Sequence, residues 1–195
     1  MSAIKLIPAS GGGSVSLAPP NSTSGSDVTI TMPSTSQTLG GSAGKILQVV
    51  SAVKNDSASF SASWSPEREI SSDLRAVITP AAASSKILVT CHLEVSQGSN
   101  LAAFQLSRTI GGTKTYIFKH TDSAHAYQGC ANTWFNDNPY ITHISFSYVD
   151  SPNTTSEITY SPEVGGCGVT LYINRIYNST THLGTSSTIA MEIGA

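Results

Sequence analysis

The residues able to do chemistry are few and thinly spread. His120, Asp122 and His125, in the run H-T-D-S-A-H, are the densest group of metal-ligand types. A metal centre needs three or four such ligands converging from several directions. This run offers no further ligand nearby and falls in a segment without strand or helix periodicity, so it reads as exposed loop. His143 stands alone among serines and reads as a surface or interface residue. Serines are abundant, but no window carries an apolar stripe at helical spacing, and the strand-to-helix turn that presents a nucleophilic serine is not expected. Glu67 and Glu69 are close in S-P-E-R-E. Glycoside cleavage requires two carboxyl groups held about 5–10 Å apart across a cleft, which proximity along the chain does not supply. No catalytic residue, cofactor or metal is assigned.

The three cysteines, Cys91, Cys130 and Cys167, are odd in number and include no C-x-x-C. They write neither a disulfide framework nor a zinc site. Cys91 falls on an apolar strand face and reads as a buried thiol, while a pairing of Cys130 with Cys167 stays open. Tyr127, Trp134, Phe135 and Tyr140 crowd one region. Aromatic side chains in loops stack on sugar rings or anchor interfaces, and they also form lids over a core. Both readings stand at this level. Asn21, Asn55, Asn153 and Asn178 open N-x-S/T sequons, a consequence of a composition rich in Asn, Ser and Thr.

Such groups must be positioned by strands. Only 11% of the 195 residues are charged, against roughly 25% in an ordinary domain. Ser, Thr, Asn and Gly fill the difference, which disfavours helix and suits pleated sheet and turns. Residues 140–164 set the pattern. Tyr140, Thr142, Ile144, Phe146 and Tyr148 share one face, and Ile141, His143, Ser145, Ser147 and Val149 the other. Period 2 means strand. The turn-forming Asp150, Ser151, Pro152 and Asn153 follow, and the pattern resumes at Ile158 and Tyr160, so the stretch is expected to be a hairpin. Its aromatic face should wall a core. Its small hydroxylated face, with His143, Ser145 and Ser147, is the candidate subunit contact.

Further runs behave alike. Residues 86–95 place Ile87, Val89, Cys91, Leu93 and Val95 on one face. Residues 101–108 and 113–119 flank Gly111 and Gly112, a tight-hairpin signal. Residues 120–139 are expected to be a long loop carrying Tyr127, Trp134 and Phe135 as a surface-recognition element. Nine or ten short strands after Lys45 imply an antiparallel β-sandwich, with a jelly roll as the architecture.

Two domains are expected: residues 1–43, an arm and linker, and 44–195, the head. The arm's apolar positions are Ile4, Leu6, Val15, Leu17, Val28, Ile30 and Met32, separated by Gly- and Ser-rich stretches. Chains under about 40 residues rarely fold unaided, so the arm is read as a docking segment. A net charge of -2 without any Lys/Arg cluster argues against nucleic acid. No apolar run approaches the roughly 20 residues of a membrane span. The N-terminus lacks an apolar secretory core, so synthesis in a cytoplasm is expected.

The N-terminal MSAIKLIPASGGGSVSLAPP, then GKILQVVSAV, LRAVITPAAASSKILVT, SFSYVDSPNTTSEITYS, VTLYINR and the closing STIAMEIGA resemble trimeric fibre, spike and head-decoration proteins of tailed bacteriophages, especially those of aquatic bacteria. The resemblance spans most of the chain and rests on phrase and pattern. It implies a tumour-necrosis-factor-like jelly-roll head, a homotrimer, location in the virion, and arm docking to phage capsid or tail proteins. A host surface glycan is the implied further partner. The chain departs from long tail fibres in having no shaft between arm and head, which favours a compact spike or capsid decoration. The alternative is a stand-alone carbohydrate- or receptor-binding module.

Overall fold

The computed structural model describes residues 4–6, 15–17, 44–61, 68–121, 129–136, 140–165, 168, 170–177, 179 and 181–195. The chain divides into two compact units, Met1–Gly41 and Ser42–Ala195. In the first, β1 (Ile4–Leu6) and β2 (Val15–Leu17) pair antiparallel, with Ile4 opposite Leu17 and Leu6 opposite Val15. An isolated two-stranded ribbon is marginal in water. Val28, Ile30 and Met32 lie outside the described residues.

The second unit is built of twelve described strands: β3 (Ile46–Lys54), β4 (Ala58–Ser61), β5 (Arg68–Glu69), β6 (Ala76–Ile78), β7 (Lys86–Ser96), β8 (Ser99–Ile110), β9 (Thr113–Phe118), β10 (Ala131–Asn136), β11 (Thr142–Asp150), β12 (Ile158–Gly165), β13 (Thr170–Ile173) and β14 (Ser186–Ile193). One sheet runs β3–β14–β7–β11, with β4 and β13 continuing the rows of β3 and β14. In the other, β9 and β10 share one side of β8, β12 lies on its other side, and β5 and β6 share the far side of β12. All these pairings are antiparallel. The chain-order pattern 3-14-7-11 against 6-12-8-9 is that of a jelly roll with two Greek keys, the expected fold class.

The core lies where the two inward faces meet. Ile87, Val89, Cys91, Leu93 and Val95 of β7 are fully buried, as the alternation required. They pack in one cluster with Ile144 and Phe146 of β11 and with Phe104, Leu106, Ile158, Tyr160 and Val164 of the opposite sheet. Each large side chain so buried contributes about 1.5–3 kcal/mol. One polar group also ties the sheets. Asp150 of β11 accepts from Arg108 Nη1 of β8 at 2.9 Å and from the Tyr160 hydroxyl of β12 at 2.7 Å. Burial and the neighbouring Asp150 charge both push the Tyr160 phenol up, so it stays a donor.

The Gly111–Gly112 hairpin forms, with φ of 54° and 82° at the two glycines. Two positive φ values in a two-residue turn are what glycine permits at little cost. The stretch 140–164, however, is no hairpin. β11 pairs with β7 and β12 with β8, in different sheets. The connection 151–157, with Asn153 at φ 54°, crosses the sandwich. Turn residues mark where a strand ends and leave its partner open. A second correction falls in residues 120–139. Residues 131–136 form β10, paired along β8 from Phe104 to Ser99.

Candidate functional site

Strand directions define two ends of the sandwich. β3 begins beside the C-terminus, where Gly44 N–H donates to the Gly194 carbonyl at 2.7 Å. β7 begins there too, with Lys86 opposite Ile193, and ends at the far side with Ser96 opposite Tyr172. Eleven residues of strand at about 3.3 Å each separate the ends by roughly 35 Å.

Register fixes what the outer face of the β3–β14–β7–β11 sheet displays. Val49, Met191, Leu88 and Val149 lie in one row across all four strands. The next row is Ser51, Ile189, Thr90 and Ser147, and the next Val53, Ser187, His92 and Ser145. Val49 is 57% exposed, Val53 51%, Val149 50% and Leu47 40%. A half-exposed valine is ordinary when alone; an aliphatic row running the width of a sheet is a patch. No lysine or arginine stands in these three rows, which matches the charge depletion of interface cores.

The expected contact residues all fall on this face. Ser147 Oγ is 3.1 Å from Thr90 Oγ1, and Ser145 Oγ is 3.2 Å from His92 Nδ1. His143 meets Glu94 through Nδ1 at 2.8 Å and stacks on His92 with ring centroids 5.7 Å apart. The polar corner therefore borders the aliphatic row. The pattern of β11 alone showed a mostly polar face with Val149 at one end; the row became visible once β3, β14 and β7 were set beside it.

The far end gathers aromatic groups. Trp134 is 68% exposed on β10 and Tyr140 67% exposed just before β11. Arg175 covers the Tyr172 ring at 4.6 Å, and Tyr172 and Tyr177 lie 5.9 Å apart. The expected recognition residues separate here. Trp134 faces out, but Phe135 is 3% exposed and belongs to the core, because neighbours on a strand point to opposite faces. Phe135 therefore does not serve as a surface-recognition residue. Tyr127 lies outside the described residues.

The reactive groups are restrained. Burial pushes both the Cys91 and Cys130 thiols up to about 12, so neither is a thiolate at neutral pH. Cys130 is a free thiol, and Cys167, its candidate partner, lies outside the described residues. Among the described residues no three His, Cys, Asp or Glu side chains converge as a metal site. Residues 40–44, G-G-S-A-G, have the spacing of a nucleophile elbow. The element that follows is the strand β3, not the helix such an elbow needs. Glu69 is the register partner of Glu163 across β5 and β12, and Glu67 lies outside the described residues. That pairing left no local signal, since 94 positions separate the two.

No family model matches this chain, and no curated protein does. Among solved structures it is similar to capsid proteins of infectious bursal disease virus. The structure of the Gx strain gives a TM-score of 0.37 at 11% identity, covering 76% of this chain and 37% of that one. The VP2 subviral particle gives 0.34 at 12% identity, with 76% and 37% covered. A mutant VP2 in derived T=1 particles gives 0.36 at 13% identity, with 97% and 44% covered. The chain thus spans less than half the length of these proteins. Likeness at this level carries no function across.

Proposed function

We propose that this chain is a structural protein of a bacteriophage particle. In this reading it is a short trimeric spike or capsid decoration, docked by the segment 1–43, with the jelly roll as its head. The observation that carries the proposal is the uncharged aliphatic row Val49–Met191–Leu88–Val149 on the outer face of one sheet. Four strands at about 4.8 Å and eight residues at about 3.3 Å give this face roughly 500 Å². That is a large share of the ~800 Å² each partner contributes to a standard interface. Three copies packing this face about a common axis bury the row. The arm supplies short strands for pairing with particle proteins, the β-augmentation mode. The fold is shared by viral capsid and lectin domains, so the sheet face, not the fold, is what favours assembly.

A second reading attaches to the far end. Trp134, Tyr140 and the Tyr172–Arg175 pair are suited to contact with a host surface glycan or protein. That end is opposite to Gly44, where the head follows the arm in sequence. Both roles are compatible in one molecule.

The test is deletion of residues 1–43. The head alone should remain a soluble trimer and fail to enter particles. A monomeric head overturns the trimer, and normal incorporation of the truncated chain overturns arm docking.

A further inference from the structure

The opposite sheet has its own feature on its outer face. A hollow of about 240 Å³ is lined by Glu69, Arg75, Thr109, Lys114, Thr159 and Ser161. Thr109 and Thr159 are cross-strand partners and form its floor with Ser161. Its two walls are ion pairs. Arg75 donates through Nε and Nη2 to Glu69 at 2.6 Å each, and Ser161 Oγ donates to Glu69 Oε1 at 3.0 Å. Lys114 Nζ donates to Glu163 Oε1 at 2.7 Å, the oxygen that also accepts from Ser107 Oγ at 2.7 Å.

Two acceptors beside this wall have no donor. Glu163 is fully buried and its Oε2 has no partner, nor has Oε1 of its cross-strand neighbour Gln105. An unpaired buried acceptor is costly, more so when charged. We infer that this hollow binds a neutral polyhydroxylated ligand, a single sugar ring. The charges decide against an anion. Each cation already holds a carboxylate, and an anion would have to displace Glu69 from a bidentate contact. A sugar hydroxyl both donates and accepts, so it uses what remains in the lining: the free Nη1 of Arg75, the spare protons of Lys114, the hydroxyls of Thr109 and Thr159, and the spare lone pairs of Glu69. The volume lies just under the ~300 Å³ at which sites for drug-sized ligands begin, the size for one ring. The hollow is on the sheet away from the proposed assembly face, so it stands or falls separately from the particle role.

The test is amide-resolved NMR of the full chain titrated with methyl glycosides of glucose, galactose, mannose and N-acetylglucosamine, with inorganic phosphate as the anion probe. At least one glycoside should shift the amides of Thr109, Thr159 and Ser161 saturably. Thr159→Val should weaken it about tenfold, the effect of one lost hydrogen bond, with melting temperature unchanged because that hydroxyl serves no internal bond. Saturation by phosphate alone, shifts confined to Trp134, the same affinity in folded Thr159→Val, or no saturable shift by any glycoside would each overturn the assignment.

Discussion

Replacing Val49 by lysine should dissociate the proposed trimer and leave the fold intact. Val49 is 57% exposed in the free unit, and full burial of a valine contributes about 1.5 kcal/mol. Covering the remaining exposed half therefore contributes about 0.9 kcal/mol per copy. Lysine forfeits that term and must also keep its ammonium out of an apolar contact. Snorkelling along its stem lowers that penalty, and a total of about 2 kcal/mol per copy is reasonable. A three-fold assembly carries the substitution three times, for about 6 kcal/mol per trimer. Because assembly scales with the square of monomer concentration, the midpoint concentration for dissociation should rise about a hundredfold. Sedimentation velocity over a dilution series reads this directly. Val77→Lys is the control: Val77 is 42% exposed but belongs to β6 in the other sheet. Monomer stability should change by no more than about 0.5 kcal/mol in either variant, as for surface substitutions generally. If Val49→Lys and Val77→Lys dissociate equally, or neither does, the aliphatic row is not the contact.

Ser147→Arg places a bulky charge between Val149 and Ser145 on the same face and should weaken trimers without lowering the melting temperature; intact trimers would leave the hydroxyl positions merely solvated. Tyr160→Phe removes a hydrogen bond to the buried Asp150 carboxylate, about 2 kcal/mol for a charged acceptor. For a unit of this size calorimetry should show a fall of about 4–8 °C, and a fall under about 1 °C would mean that the phenol does not help to lock the sheets. Burial alone would raise the Glu69 carboxyl, but hydrogen bonds from Arg75 and Ser161 and the Arg75 and Lys114 charges outweigh it and hold it below the usual range. A depressed folded value gives stability that is present above the unfolded carboxylate pKa and is lost as pH falls through the folded one. The urea-midpoint gap between wild type and Glu69→Gln should therefore be widest at neutral pH and close in acid; a gap independent of pH would refute the linkage.

Local periodicity was readable wherever one face of a strand is buried. Lys86 to Val95 alternates except at Leu88, which is apolar on the outer face, and β7 alternates in burial accordingly. Gly111 and Gly112 specified their turn because glycine at both positions supplies two positive φ values cheaply. What failed was long-range pairing. The signals at Asp150 to Asn153 are those of a hairpin turn, yet the seven residues 151–157 carry the chain between sheets. β10 escaped notice because Asn132, Thr133 and Asn136 dilute its apolar alternation, although the buried Phe135 beside the exposed Trp134 is period 2 in miniature. The proposed assembly face was half visible. His143, Ser145 and Ser147 were legible as one small-residue face, but the aliphatic row draws one residue from each of four strands. The juxtaposition of Glu69 and Glu163 is likewise a product of cross-strand register, and no single window of sequence contains it.

The self-association state of the isolated wild-type chain tests the central claim most directly. Sedimentation equilibrium across a hundredfold range of concentration should fit a species of three 20.3 kDa chains, dissociating to monomer only at the dilute end. A single species of one chain's mass throughout that range would contradict it, because the row from Val49 to Val149 would then face water in the finished protein.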